Sequence, residues 1–310
     1  MRMTLGVVGL SVALLVCLSV SSSLPAQPAP ATAGGTSGGV KHTFVCGDYT
    51  GSVVKIISAE GKVTWEYPAR NVCDLGVMPN GNFLFTTGQG VKEVTRDKKV
   101  VFSYETPSGS EVFTCQRLAD GNTLVGLCTD KKLVEVTPMG EVVREIKLTI
   151  GGSAGHTNFR RARKLDDGTY VVAQMSENKV CQYDATGKVL RTIDSPAVFF
   201  ALPLPKGNLL LSCADTDANG SKVYEVDPAG KTVWEVKNGD LAGITLRFMA
   251  GTVRLANGNT LMCNWLGHGH LGEGPHLIEV TPEKKVVWTY ADHTAVKTIS
   301  CAELLDGEEK

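Results

Sequence analysis

Residues 253–290 read VRLANGNTLMCNWLGHGHLGEGPHLIEVTPEKKVVWTY. An apolar run ends at Leu255, an Asn257-Gly258-Asn259 turn follows, and a second apolar run opens at Leu261. After a stretch rich in glycine and histidine comes a run ending in Val280-Thr281-Pro282, then a turn at Lys284, then a run carrying Trp288. Short apolar runs broken by Asn-Gly and by a Pro-containing turn read as four antiparallel strands. The pattern recurs along the chain at about 40–50 residues, and a four-stranded unit at that period is the signature of a β-propeller blade.

Two turn positions count the copies. The first hairpin has its glycine at Gly81, Gly121, Gly168, Gly207, Gly258 and Gly307, and the second turn falls at Gly61, Lys98, Gly140, Gly187, Gly230 and Lys284. Asn-Gly and Asp-Gly suit the first turn because both residues tolerate positive φ. The expected fold is therefore all-β: a six-bladed β-propeller with four antiparallel strands per blade. The two ends are complementary fragments of one copy, since 298–307 matches 112–121 and 43–67 matches the remainder. One blade should then combine a C-terminal inner strand with three N-terminal strands, which closes the ring and removes an exposed sheet edge. Pairing across that hairpin sets Cys301 opposite Cys46 and suggests a disulfide there. Trp65, Phe102, Trp234 and Trp288 share the position four residues after the second turn, and should pack between blades.

The predicted organisation is a secretory leader over residues 1–26, a disordered Pro/Ala- and Gly/Ser-rich linker over 27–40, and the propeller over 41–310. Arg2, the apolar run Leu5–Val20 and Leu24-Pro25-Ala26 carry the leader reading; Cys17 gives a lipoprotein site as an alternative, with bulky Val16 before it. The expected location is secreted or periplasmic. No second apolar run suggests a membrane span. With 31 Lys+Arg against 32 Asp+Glu, the charge is nearly balanced, and nothing favours nucleic acid as a partner. A small molecule or a protein is the expected ligand, with the oligomeric state left open.

Repetition separates scaffold from site. Glu93, Glu135, Glu225 and Glu279 share one position, with Gln182 in a fifth copy, and should be strand partners for lysines across the hairpin rather than acid–base groups. Extra length instead collects in loops 147–159, 213–222, 236–250 and 264–276, all on the face opposite the tight turns and mostly on blades 4 to 6, counting the split blade as the first. Rigid strands aim variable loops at such a face. The rare residues follow: His156, Asn158, Arg160, Trp265, His268, His270 and His276 are the candidate ligand contacts, with His293 on the same face. His156 and Arg160 are the catalytic candidates, if there is catalysis. Of Arg160 and Arg161, Arg160 is expected to face the channel. Imidazole with guanidinium suits a sulfate, phosphate or carboxylate.

Metal motifs are partial. His268-x-His270 with His276, aided by Glu273, could chelate if the segment is extended. Asp215-x-Asp217-x-Asn219-Gly220 spells the first half of a calcium loop, but Val223 and Val226 stand where later ligands belong, so a polar turn is the preferred reading and calcium the alternative. Gly267-x-Gly269-x-x-Gly272 opens no helix and is no dinucleotide fingerprint.

The hairpin at 223–236, with Asp227, Gly230-Lys231 and Trp234, resembles the repeat of quinoprotein-type, PQQ-like propellers. The Asn-Gly-Asn-Thr-Leu strand at 257–261 with the Val-Thr-Pro hairpin after it is similar to secreted bacterial propellers related to arylsulfotransferases. The first resemblance implies an exported propeller, but quinoprotein dehydrogenases have eight blades, so six copies do not support PQQ as cofactor. The second implies a six-bladed enzyme with histidines and an arginine in the channel, for which His156, Arg160 and His268 or His270 are available. A binding module working through the long-loop face is the first reading, and a sulfotransferase-like or hydrolytic propeller enzyme the alternative.

Overall fold

A computed structural model describes residues 36–37, 39–152, 155–214 and 220–306. Six four-stranded antiparallel sheets stand in sequence around an axis, giving the six-bladed propeller. Blade 1 pairs the C-terminal Ile299–Leu304 as its inner strand with Phe44–Asp48, Val53–Ile57 and Val63–Pro68, in the split arrangement expected. Blades 2 to 6 begin on inner strands Leu75–Val77, Val112–Arg117, Ala162–Lys164, Val198–Pro203 and Met249–Arg254. Thr36–Ser37 adds a short strand to the outer edge of blade 6, paired with Val286–Tyr290. The leader reading and the rest of that segment up to residue 35 lie outside the described residues. Among the described residues no helix is long and apolar enough to cross a membrane.

Turn chemistry explains the repeat. Gly81, Gly121, Gly168, Gly207 and Gly258 all sit at φ between 80° and 89°, where a Cβ would strain the backbone. The second turn needs the same conformation, and Lys98 and Lys284 adopt it at φ 68° and 66°.

Two sets of side chains tie neighbouring blades together. Trp65 packs on Phe83 of blade 2, its Nε1 donating to the Arg96 carbonyl; Trp234 donates to the Pro282 carbonyl; Trp288 meets Phe44 of blade 1. The repeated carboxylates belong to the second set, and their partners are not lysines across the hairpin. Glu93 accepts from Arg117 at 2.6 Å, Glu135 from Lys164 at 2.6 Å and Glu225 from Arg254 at 2.9 Å, each a residue of the following blade. Across the hairpin these carboxylates face Phe102, Arg144 and Trp234; Arg144 adds a longer ion pair to Glu135 at 3.5 Å, and the shorter bonds all come from the neighbouring inner strand. Those cations stand four residues before each hairpin glycine. Where the carboxylate is replaced by Gln182, the facing position is Pro203, so the charge is lost from both sides together. Glu279, at the seam, accepts from His42 at 2.8 Å.

The closing blade overturns the expected disulfide. Cys301 lies opposite Gly47, and Cys46 opposite Ala302. A one-residue offset sends the two thiols to opposite faces of the sheet: Cys46 packs with Phe44, Trp288 and Tyr290 toward blade 6, and Cys301 with Val72 and Phe85 toward blade 2. All eight cysteines of the described residues are buried, and none is in a disulfide.

Candidate functional site

The long-loop face opens on a cavity of about 200 Å³ at the mouth of the central channel. Every blade contributes to it: Tyr49 and Ser300 from blade 1, Cys73 from blade 2, Phe113 from blade 3, His156 and Arg160 from blade 4, Phe199 from blade 5, and Phe248, Ala250, Trp265 and His268 from blade 6. The walls are aromatic. Phe199 meets Phe248 edge-on at 5.6 Å, Phe248 meets Trp265 at 5.0 Å, and Tyr49 of the adjacent blade 1 meets Trp265 at 5.9 Å.

The floor is polar and closed. Asp74, wholly buried, takes two 2.7 Å bonds from Arg163 and the Cys115 backbone N–H at 3.0 Å. Arg161 lies 3.8 Å from the same carboxylate and donates to the Ser300 carbonyl at 2.8 Å. A Cβ at position 251 would come within 3.3 Å of the Arg161 guanidinium, so Gly251 leaves room for it. Paired and hydrogen-bonded, these charges can stay buried and plug the axis below the cavity.

Arg160 stays above the plug. Its guanidinium carbon sits 4.6 Å from the Phe113 ring centre and 5.5 Å from that of Phe199. Nη1 donates to the His156 carbonyl at 2.9 Å and Nε to the Met175 sulfur at 3.3 Å, and no described carboxylate pairs with it. His156, on a 3₁₀ turn over Gly155–Thr157, holds the Glu111 carboxylate on Nδ1 at 2.9 Å and stands edge-on to Phe113. Glu111 drew no attention in the sequence because it belongs to no motif and to no long loop.

Four of the seven expected ligand contacts thus line one cavity: His156, Arg160, Trp265 and His268. Three do not. Asn158 is buried and donates to the Cys128 carbonyl, fastening the entry of blade 4 to blade 3. His270 turns outward to Glu273, 2.9 Å away. His276 is fully buried beside His293, ring centres 4.5 Å apart, and all four ring nitrogens lack a hydrogen-bond partner among the described residues. Burial, with His293 adding to it, pushes the His276 imidazole down to about 3. The three-histidine chelate expected from 268, 270 and 276 therefore does not form. Its premise was an extended segment, whereas His268 and Gly269 take positive φ and the His270 N–H closes a turn on Gly267. That turn folds Trp265 back over Gly267, where a Cβ would lie 2.0 Å from the indole. Among the described residues no three His, Cys, Asp or Glu side chains gather as metal ligands; Asp215, Asp217 and Asn219 lie outside them. Cys73, on the cavity wall, is held protonated, its thiol raised to about 12 by burial.

One further signal was present in the sequence and went unread. Counting eight residues back from each hairpin glycine gives Cys73, Phe113, Arg160, Phe199, Ala250 and Ile299. Five of these line the cavity, and Arg160 is the one charged member of the ring.

Fold and site together define a six-bladed β-propeller with an aromatic, arginine-bearing cavity at one end of its channel. No protein-family model and no curated protein matches the sequence. Among solved structures the chain is similar to a protein of unknown function from Bacteroides caccae, at 28% identity and TM-score 0.76 over 85% of this chain and 98% of that one. It also resembles a streptogramin B lyase, at 12% identity and TM-score 0.58 over 87% and 97%. An inactive virginiamycin B lyase from Staphylococcus aureus with quinupristin gives 13% identity and TM-score 0.54 over 81% and 94%. At such identities the two lyases share the fold.

Proposed function

We propose that this propeller binds a small organic molecule at the channel mouth, entering from the long-loop face. The observation that carries this is the cavity wall: aromatic rings from blades 1, 3, 5 and 6 line open space instead of filling it. An apolar concavity with few convergent polar groups is the usual form of a ligand site. A ligand-observed NMR screen of small aromatic and aliphatic fragments tests it. Hits should weaken at least tenfold on Trp265→Ala or Phe199→Ala; hits indifferent to both substitutions would place binding elsewhere.

A second reading, catalysis, is favoured by the Glu111–His156 pair. A carboxylate on Nδ1 fixes the orientation of the imidazole and leaves Nε2 to take a proton, the arrangement of a general base. The lyase names of the structural neighbours do not bear on it, since the likeness there is one of fold. Turnover of a bound ligand that is lost in His156→Gln while binding persists would establish it.

We also read the chain as exported, with a PQQ-like blade repeat and no quinone, on the strength of the apolar run Leu5–Val20 and the blade hairpins. Sequencing the amino terminus of the protein expressed in a bacterium tests export: processing near Ala26 supports it, and an intact leader in every fraction contradicts it.

A further inference from the structure

We infer that the ligand of the channel-mouth cavity is a small planar carboxylate, an aromatic monoanion, whose carboxylate is bound by Arg160 and whose ring lies among Phe199, Phe248 and Trp265. This rests on reading the cavity as a ligand site.

The first support is Arg160's place in the repeat. The equivalent residue in every other blade is uncharged and, cysteine included, apolar: Cys73, Phe113, Phe199, Ala250 and Ile299. Blade architecture therefore does not ask for a cation there. Arg160 is also 5% exposed, and a charge that deep is normally paired. Its two sequence neighbours in the channel show what pairing looks like: Arg163 holds Asp74 through two bonds, and Arg161 adjoins the same carboxylate. The axis thus carries three guanidinium groups and one carboxylate; Arg161 and Arg163 share Asp74, and Arg160 alone has no described carboxylate in contact. A guanidinium has five N–H donors. Nε and one Nη1 proton are taken, which leaves three without a protein partner among the described residues.

Charge and shape narrow the class. Arg160 is the one guanidinium in the channel with no described carboxylate in contact, and a single carboxylate completes it. Glu111 stands at the rim against His156, so a dianion such as a phosphate monoester would meet both an excess of charge and a nearby carboxylate. The guanidinium edge matches a carboxylate with two parallel bonds. Packed near Phe113 and Phe199, Arg160 is held with little freedom to lose on binding. For size, an apolar cavity of about 150 Å³ holds benzene; about 200 Å³ has room for one ring and a carboxylate.

The experiment is calorimetric titration of the full chain with benzoate and phenylacetate, their neutral isosteres benzamide and benzyl alcohol, benzylamine, and phenyl phosphate. The carboxylates should bind at least tenfold more tightly than the neutral isosteres and phenyl phosphate, with no binding of benzylamine. Arg160→Met should erase the preference while leaving the neutral compounds' affinity within about threefold, and Arg160→Lys should keep part of it; if Arg160→Met does not fold, the wild-type ranking and Arg160→Lys decide. Neutral isosteres binding as well as carboxylates, or phenyl phosphate binding better, would overturn the inference and leave the cavity reading standing. No binding by any aromatic compound, neutral or charged, would overturn both.

Discussion

Arg160 and Arg161 are adjacent in sequence and do different things. Arg161 passes Gly251 to reach Ser300 and Asp74 and is structural; Arg160 remains in the aromatic cavity. The sequence favoured Arg160 for the channel, and both residues in fact face it at different depths. Histidine placement was less legible. Loop membership alone grouped His156, His268, His270 and His276, but one turn at His268-Gly269 divides the last three between cavity, solvent and core. His276 carries a prediction. Its folded value near 3 lies below the ordinary 6.5, so between those values the unfolded chain binds a proton that the folded chain refuses. Stability from this group is full above about pH 6.5 and is lost as pH falls toward 3. At about 1.4 kcal/mol per tenfold change, the loss reaches up to about 5 kcal/mol; Asp292, which favours the charged form, works against it. Urea unfolding at pH 7 and pH 4.5 should show a smaller pH dependence in His276→Phe than in the wild type.

At the scale of the element, a blade's strands are set by period-2 alternation and turn glycines, both of which a sequence displays. What it does not display is which neighbour a polar side chain meets. The Glu93, Glu135 and Glu225 column was recognisable as scaffold because it repeats, yet the cation that each holds most closely comes from the next blade, a contact between strands distant in sequence. The matched loss at Gln182 and Pro203 was the available clue. Glu135 is nearly buried and accepts from Lys164 and the Tyr170 hydroxyl. Glu135→Ala should destabilise by about 2–3 kcal/mol, because it strands both donors, Lys164 being partly solvated. Glu135→Gln with Lys164→Met should recover most of that in a double-mutant cycle. The Cys46–Cys301 error has the same origin. Hairpin register was inferred from turn position, and one residue of offset moves a side chain through the sheet.

For the whole molecule, six copies and two complementary ends made the closed ring readable before any coordinates. The lock on the closure was not. Asp48, 1% exposed, accepts the backbone N–H groups of Gly51, Lys297 and Thr298, binding the last loop to the first full strand. Asp48→Ala should cost about 3 kcal/mol of unfolding free energy, since buried bonds to a charged acceptor are worth more than neutral ones. The cavity was half legible. Long loops pointed to blades 4 to 6, and these do supply Arg160, His156, Trp265 and His268, but Tyr49, Cys73 and Phe113 lie in or next to ordinary strands of blades 1 to 3 and converge only in three dimensions. The most direct test of the account is a crystal structure of the protein grown with phenylacetate. The account predicts its ring among Phe199, Phe248 and Trp265, with both carboxylate oxygens within hydrogen-bond distance of Arg160. Phenylacetate bound away from the channel mouth, or seated there with its carboxylate turned to solvent, would contradict it.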